Sequence, residues 1–138
     1  MTEQNLTNNF KLSEFLYSKF YDEETQAKVI EEYNKDIGVH LNLLALAENL
    51  QLLRDYLNQS VKINIAYRPL FWELEQGRDG KSQHVLGKAA DIVIDGYSPK
   101  KIAGIIEKLI KENKISQGGL SAYDTFVHYD HRGYFARW

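Results

Sequence analysis

Ser82-Gln83-His84-Val85-Leu86-Gly87-Lys88-Ala89-Ala90-Asp91, continued by Ile92-Val93-Ile94, is the stretch on which the fold turns. It packs an imidazole, a glycine, two alanines and a carboxylate into ten positions. The carboxylate stands at the mouth of a β-branched apolar run, which predicts a buried strand. His84 and Asp91 are seven residues apart, too loosely spaced to meet on one helical face and too far for one short strand. A turn at Gly87 folds one toward the other. A metal held between them needs a third ligand, and Phe126-Val127-His128-Tyr129-Asp130 is the segment that offers one. Period two puts Phe126, His128 and Asp130 on one face of that predicted strand, with Val127 and Tyr129 on the other.

Composition narrows what surrounds this pair of segments. The chain has 138 residues and 16.0 kDa, with 43% hydrophobic and 26% charged residues, as expected of one globular domain with its own core. The net charge is −2 with acids and bases interspersed, which argues against a nucleic acid or an anionic membrane as partner. Cysteine is absent, so disulfides and thiolate metal sites are excluded and a metal must take nitrogen and oxygen ligands. No run is long enough to cross a membrane, and Met1 to Asn9 lacks the basic and apolar regions of a signal peptide. The expectation is a monomer made in the cytoplasm, with a polar N-terminal tail over residues 1–9 and a single domain over residues 10–138.

Outward from the decisive stretch, Phe10 to Phe20 predicts a short segment docking aromatics on the core, and Asp22 to Asn34 a helix. Leu41 to Leu57 has the three-and-four apolar spacing of a buried helix, and Val61 to Tyr67 alternates as a strand that Pro69 ends. Phe71 to Lys81 reads as a loop. After the strand Ala90 to Ile94, Asp95-Gly96 predicts a turn, and Ser98-Pro99 opens a helix running to about Asn113. Gly118-Gly119 opens the last unit, which closes with a strand over Thr125 to Asp130. The order predicts an α+β fold: a small, mostly antiparallel sheet, helices packed on one side, and the metal cleft on the sheet.

His84, Asp91 and His128 form a set of two histidines and one carboxylate. Three protein ligands with a fourth position left open is the catalytic form of a zinc site, and zinc there suits amide hydrolysis. A second metal reading takes His128-x-Asp130 with His84 as the facial triad of a non-haem iron oxygenase. In that class another histidine follows the His-x-Asp element, and little chain follows here. His40 and His131 read as hydrogen-bonded or surface residues.

Ser82-Gln83-His84-x-x-Gly87-x-Ala89-x-Asp91 resembles the first zinc motif of the M15 metallopeptidases. Asp124-Thr125-Phe126-Val127-His128-Tyr129-Asp130-x-Arg132-Gly133, ending in Ala136-Arg137-Trp138, resembles the second motif of the D-alanyl-D-alanine carboxypeptidase-like branch. The resemblance spans about Phe10 to Trp138. It implies Zn2+ on His84, Asp91 and His128, and hydrolysis of peptidoglycan stem peptides by a carboxypeptidase or an endopeptidase of the phage endolysin type. It also implies action at the cell wall, where the missing signal peptide suits a lysin released through a partner pore, a virion component, or a host protein exported by another route. Arg68, after the strand preceding the first motif, is placed to bind a substrate carboxylate or carbonyl, with Ser82 and Gln83 lining the cleft. Relatives carry a glutamate three residues, or a histidine two residues, before the last zinc histidine; Thr125 and Phe126 stand there, and neither takes a proton. Asp130 is then the candidate general base, with orientation of His128 as its other possible role, and Asp124 is a further candidate. The rival to catalysis is a wall-binding or phage structural module that keeps the zinc fold.

Overall fold

β2 (Ala89–Val93) runs through the interior of a five-stranded sheet of order β1 (Lys62–Ile65), β2, β4 (Val127–Asp130), β3 (Gly119–Ala122), β5 (Ala136–Arg137). The computed structural model describes residues 3–138 of the chain. The first four are joined through antiparallel pairs, and β5 lies parallel to β3. Ala90 and Ile92 of β2, Val127 and Tyr129 of β4 and Leu120 of β3 join a core built with Leu43, Leu46, Leu50 and Leu53 and with Ile102, Ile106 and Leu109. The alternating residues Asp91, His128 and Ser121 fall in register across three strands on the opposite face. One face of the sheet is therefore committed to packing and the other to chemistry. The α+β fold with a mostly antiparallel sheet is as the sequence predicts.

The helices begin where side chains satisfy free backbone N–H groups. Asp22 caps α2 (Glu23–Asn34) by accepting from Thr25 N at 2.7 Å. Asp36 caps α3 (Ile37–Leu57) by accepting from Val39 N at 3.2 Å, which starts that helix one turn before the predicted Leu41. Its end is Asn58, in the left-handed region at φ 49°. Ser98 caps α5 (Pro99–Lys111), with Pro99 in the first turn where its missing N–H costs nothing.

Some local expectations need correction. Phe71 to Lys81 is not all loop: α4 (Leu70–Glu75) follows Pro69, whose carbonyl accepts from Trp72 N and Glu73 N. The helix turns Glu73 wholly inward, against two arginines, and a lone carboxylate in an apolar run carries no signal of that. Of the aromatics expected on the core, Phe10 and Phe15 pack there, just before and within α1 (Leu12–Leu16) respectively, whereas Phe20 is exposed. β5 has two residues and pairs in parallel, too little for a period-two pattern to show. In the segment read as a polar tail, Asn5 bridges to Lys11, and Thr7 Oγ1 and Asn9 N donate to Gln51 Oε1. Among the described residues no helix is long and apolar enough to cross a membrane.

Candidate metal centre and substrate cleft

His84 sits in a single 3-10 turn, Gln83–Leu86, which Gly87 terminates at φ 79°. A side chain at Gly87 would be strained by that backbone and would also crowd Val39. Ser82 opens the turn by accepting from His84 N at 3.2 Å. The His84 ring is buried, and its Nδ1 lies 2.7 Å from the Ala66 carbonyl oxygen. A carbonyl only accepts, so Nδ1 carries the proton and Nε2 presents its lone pair. That lone pair faces Asp91 Oδ1 at 3.2 Å.

His128 reaches the same oxygen from the adjacent strand, its Nδ1 lying 3.3 Å from Asp91 Oδ1. Its Nε2 is 2.7 Å from Asp130 Oδ2. Asp130 is wholly buried, and Oδ1 accepts from Gly119 N, Arg132 N and Arg132 Nε while Oδ2 also accepts from Arg132 Nη2. Burial alone would raise the Asp130 pKa; the donors from Arg132, His128 and Gly119 outweigh it and hold the carboxyl well below its ordinary range. An ionised carboxylate can only accept, so the His128 proton is on Nε2 and Nδ1 is the free nitrogen. Gly119 allows this arrangement by having no Cβ, which would meet Asp130 Oδ2 and Arg132 Nη2.

His84 Nε2, His128 Nδ1 and an Asp91 oxygen lie within 4.8 Å of one another. Asp91 Oδ1 is buried and has no hydrogen-bond partner among the described residues. With each ring proton held on the far nitrogen, two lone pairs and an orphaned carboxylate oxygen point at one spot. A metal cation would relieve that convergence, so the donor set fits a metal ion. Burial favours a neutral Asp91, yet the two histidines outweigh it and lower its pKa. Burial likewise lowers the His84 pKa, whereas at His128 the neighbouring carboxylates of Asp130 and Asp91 overcome burial and raise it.

The three side chains open onto a cavity of about 380 Å³, lined also by Arg68, Ser82, Gln83, Tyr123, Arg132 and Trp138. The family model described as Peptidase M15 matches residues 8–130, which include His84, Asp91 and His128. The chain belongs to the M15 peptidase family. No curated protein and no solved structure matches it.

Other residues that the M15 resemblance singled out also meet at this cavity. Arg68 N donates to the His84 carbonyl at 3.1 Å, and Arg68 Nη2 donates to Ser82 Oγ at 3.2 Å. Burial lowers the Arg68 pKa against the pull of Glu73 and Asp91. Arg68 Nε and Gln83 Oε1 are buried without partners among the described residues, a donor and an acceptor left for a ligand. Asp130 does not line the cavity; it stands behind His128. Asp124 is exposed and is not among the lining residues, and neither His40, bonded to Tyr33 Oη, nor His131, bonded to the Asn42 carbonyl, belongs to the cluster.

Among aromatic side chains, Tyr123 and Trp138 line the cavity, and the Trp138 ring is tilted against His128 at 5.0 Å. Tyr67 is in the core. Sequence reasoning missed Glu73, which has no exposed surface and holds Arg78 Nη1 at 2.8 Å and Arg68 Nη2 at 3.5 Å. Its only trace in the sequence is its spacing, five residues from each arginine in this M15 chain.

Proposed function

We propose that this protein is a zinc-dependent peptidase that hydrolyses an amide bond in peptidoglycan stem peptides at the cell wall. The observation that carries the reading is the convergence of His84 Nε2, His128 Nδ1 and the unpartnered Asp91 Oδ1 beside a cavity in a peptidase-family chain. Zinc held by His84, Asp91 and His128 supplies a Lewis acid for the scissile carbonyl and a more acidic water. Arg68 binds a carboxylate or carbonyl of the peptide, since its guanidinium lies at the cavity with an unpartnered Nε. Gln83 Oε1 accepts a peptide N–H. Ser82 holds both the His84 turn and Arg68 in place. For Asp130 the five donors around it favour orientation of His128 over proton transfer, because none of its lone pairs is left facing substrate.

One observation favours a second reading, a non-catalytic wall-binding or phage structural module. Among the described residues lining the cavity, Asp91 is the only carboxylate, and it is committed to the metal. The experiment is incubation of the zinc-loaded protein with purified peptidoglycan and with short stem peptides, products read by mass spectrometry, beside His84→Ala. A released D-alanine identifies the carboxypeptidase type and a new internal amine the endopeptidase type. Bound zinc with no product supports the module.

A further inference from the structure

The metal cluster has a second open side. A lobe of about 280 Å³ lies beyond Arg68, Asp91 and Phe126, which line both it and the main cavity. Its remaining walls include two cations, Lys19 and Arg78, and two aromatic rings, Phe20 and Trp72. Arg78 lies over Trp72, with its guanidinium carbon 5.3 Å from the ring centroid, and its side chain is 47% exposed. Among the described residues only Nη1 is engaged, by Glu73 Oε2, so further N–H groups of the fork remain for a ligand.

Glu73 beneath the lobe answers one positive charge. Lys19, Arg68 and Arg78 supply three, and Asp91 faces the histidines. The lobe is therefore net cationic, and its aromatic walls lower the local dielectric around whatever enters it. A fork of this kind recognises a carboxylate.

We propose that this lobe is a carboxylate subsite: it takes a carboxylate of the substrate adjacent to the scissile bond, and Arg78 and Lys19 determine the preference for it. The inference rests on the peptidase reading, since a chain lying in the main cavity reaches the lobe across Asp91. The carboxylate has two sources in a stem peptide, the free carboxylate of its glutamate and the chain's own C-terminus.

The test uses the zinc-loaded full chain and three pentapeptide stems ending in D-Ala-D-Ala: unmodified, amidated at the glutamate carboxylate, and amidated at the C-terminus. One amidation is expected to lower kcat/KM by about 10-fold or more, and the arm that does so names the source. Arg78→Gln and Lys19→Gln are each expected to shrink that ratio, and Lys19→Gln to leave cleavage of the discriminated amide within about twofold of wild type, which a merely structural role would not do. Lys19 is exposed, so its variant stands if Arg78→Gln, which leaves Glu73 short of a partner, fails to fold. Cleavage of all three stems at equal rates, or discrimination unchanged in the Lys19 variant, overturns the subsite. If wild type cleaves nothing, the peptidase reading fails, and calorimetric binding of the same stems still decides: weaker binding of one amide supports the subsite, and equal or absent binding overturns it.

Discussion

Replacing Asp130 by asparagine probes how the metal site is held without touching a proposed ligand. Oδ2 accepts from His128 Nε2 at 2.7 Å and from Arg132 Nη2 at 2.8 Å, while Oδ1 accepts from Gly119 N and twice from Arg132. An amide NH2 in place of Oδ2 sets a donor against two donors, and flipping the amide sets it against three. His128 escapes by moving its proton to Nδ1, so that Nε2 accepts from the amide. That tautomer blocks the nitrogen that faces Asp91. The expected loss of zinc affinity is about 10- to 100-fold, the usual effect of removing a carboxylate behind a ligating histidine, or roughly 1.4 to 2.8 kcal/mol. Competition against a chromophoric chelator reads the affinity, and long-range 1H–15N correlation of the imidazole reads the tautomer. An Asp130→Asn protein that folds, keeps its Nε2 proton and binds zinc like wild type refutes the reasoning.

Three further perturbations follow from the same contacts. Glu73→Gln removes the charge between Arg68 and Arg78; KM for a stem peptide is expected to rise about 10-fold with a smaller change in kcat, and a change in kcat alone would contradict the positioning role. Gly119→Ala drives a Cβ into the Asp130 carboxylate and Arg132; a destabilisation of about 2 kcal/mol with weakened zinc binding is expected, read by urea unfolding and chelator competition. Arg137 Nε and Nη2 hold the two oxygens of Glu107 at 2.8 Å each and lower its pKa. A lowered folded-state pKa means the pair stabilises fully above about pH 5 and loses that contribution as pH falls through the folded value. Glu107→Gln is accordingly expected to cost about 1 kcal/mol at pH 7 and almost nothing near pH 3, so an equal loss at both pH values would exclude the ion pair as its cause.

Local chemistry made much of this fold legible. Ser98-Pro99 announces α5 because a capping hydroxyl and a preset φ act within one turn. Ala90 to Ile94 announces a buried strand because its apolar run is continuous. His84, Asp91 and His128 were legible as a set because the turn at Gly87 and the strand period decide where each side chain points. Residues whose role depends on distant partners were not legible. Glu73 is buried only because Arg68 and Arg78 close on it from either side of α4. The role of Asp130 stayed open because period two aligned it with His128 but said nothing of Gly119 and Arg132, which occupy its oxygens. The short parallel pairing of β5 with β3 likewise arises from the tertiary fold, since two residues specify no pattern of their own.

The most direct measurement is an equilibrium zinc titration of wild type, His84→Ala, Asp91→Ala, His128→Ala and a His40→Ala control, each shown to be folded by circular dichroism. One zinc per wild-type chain is expected, with affinity lowered at least about 100-fold in each of the three ligand variants and unchanged in the control. Tight, stoichiometric binding that survives loss of His84, Asp91 or His128, or no stoichiometric binding by the wild type, would contradict the account.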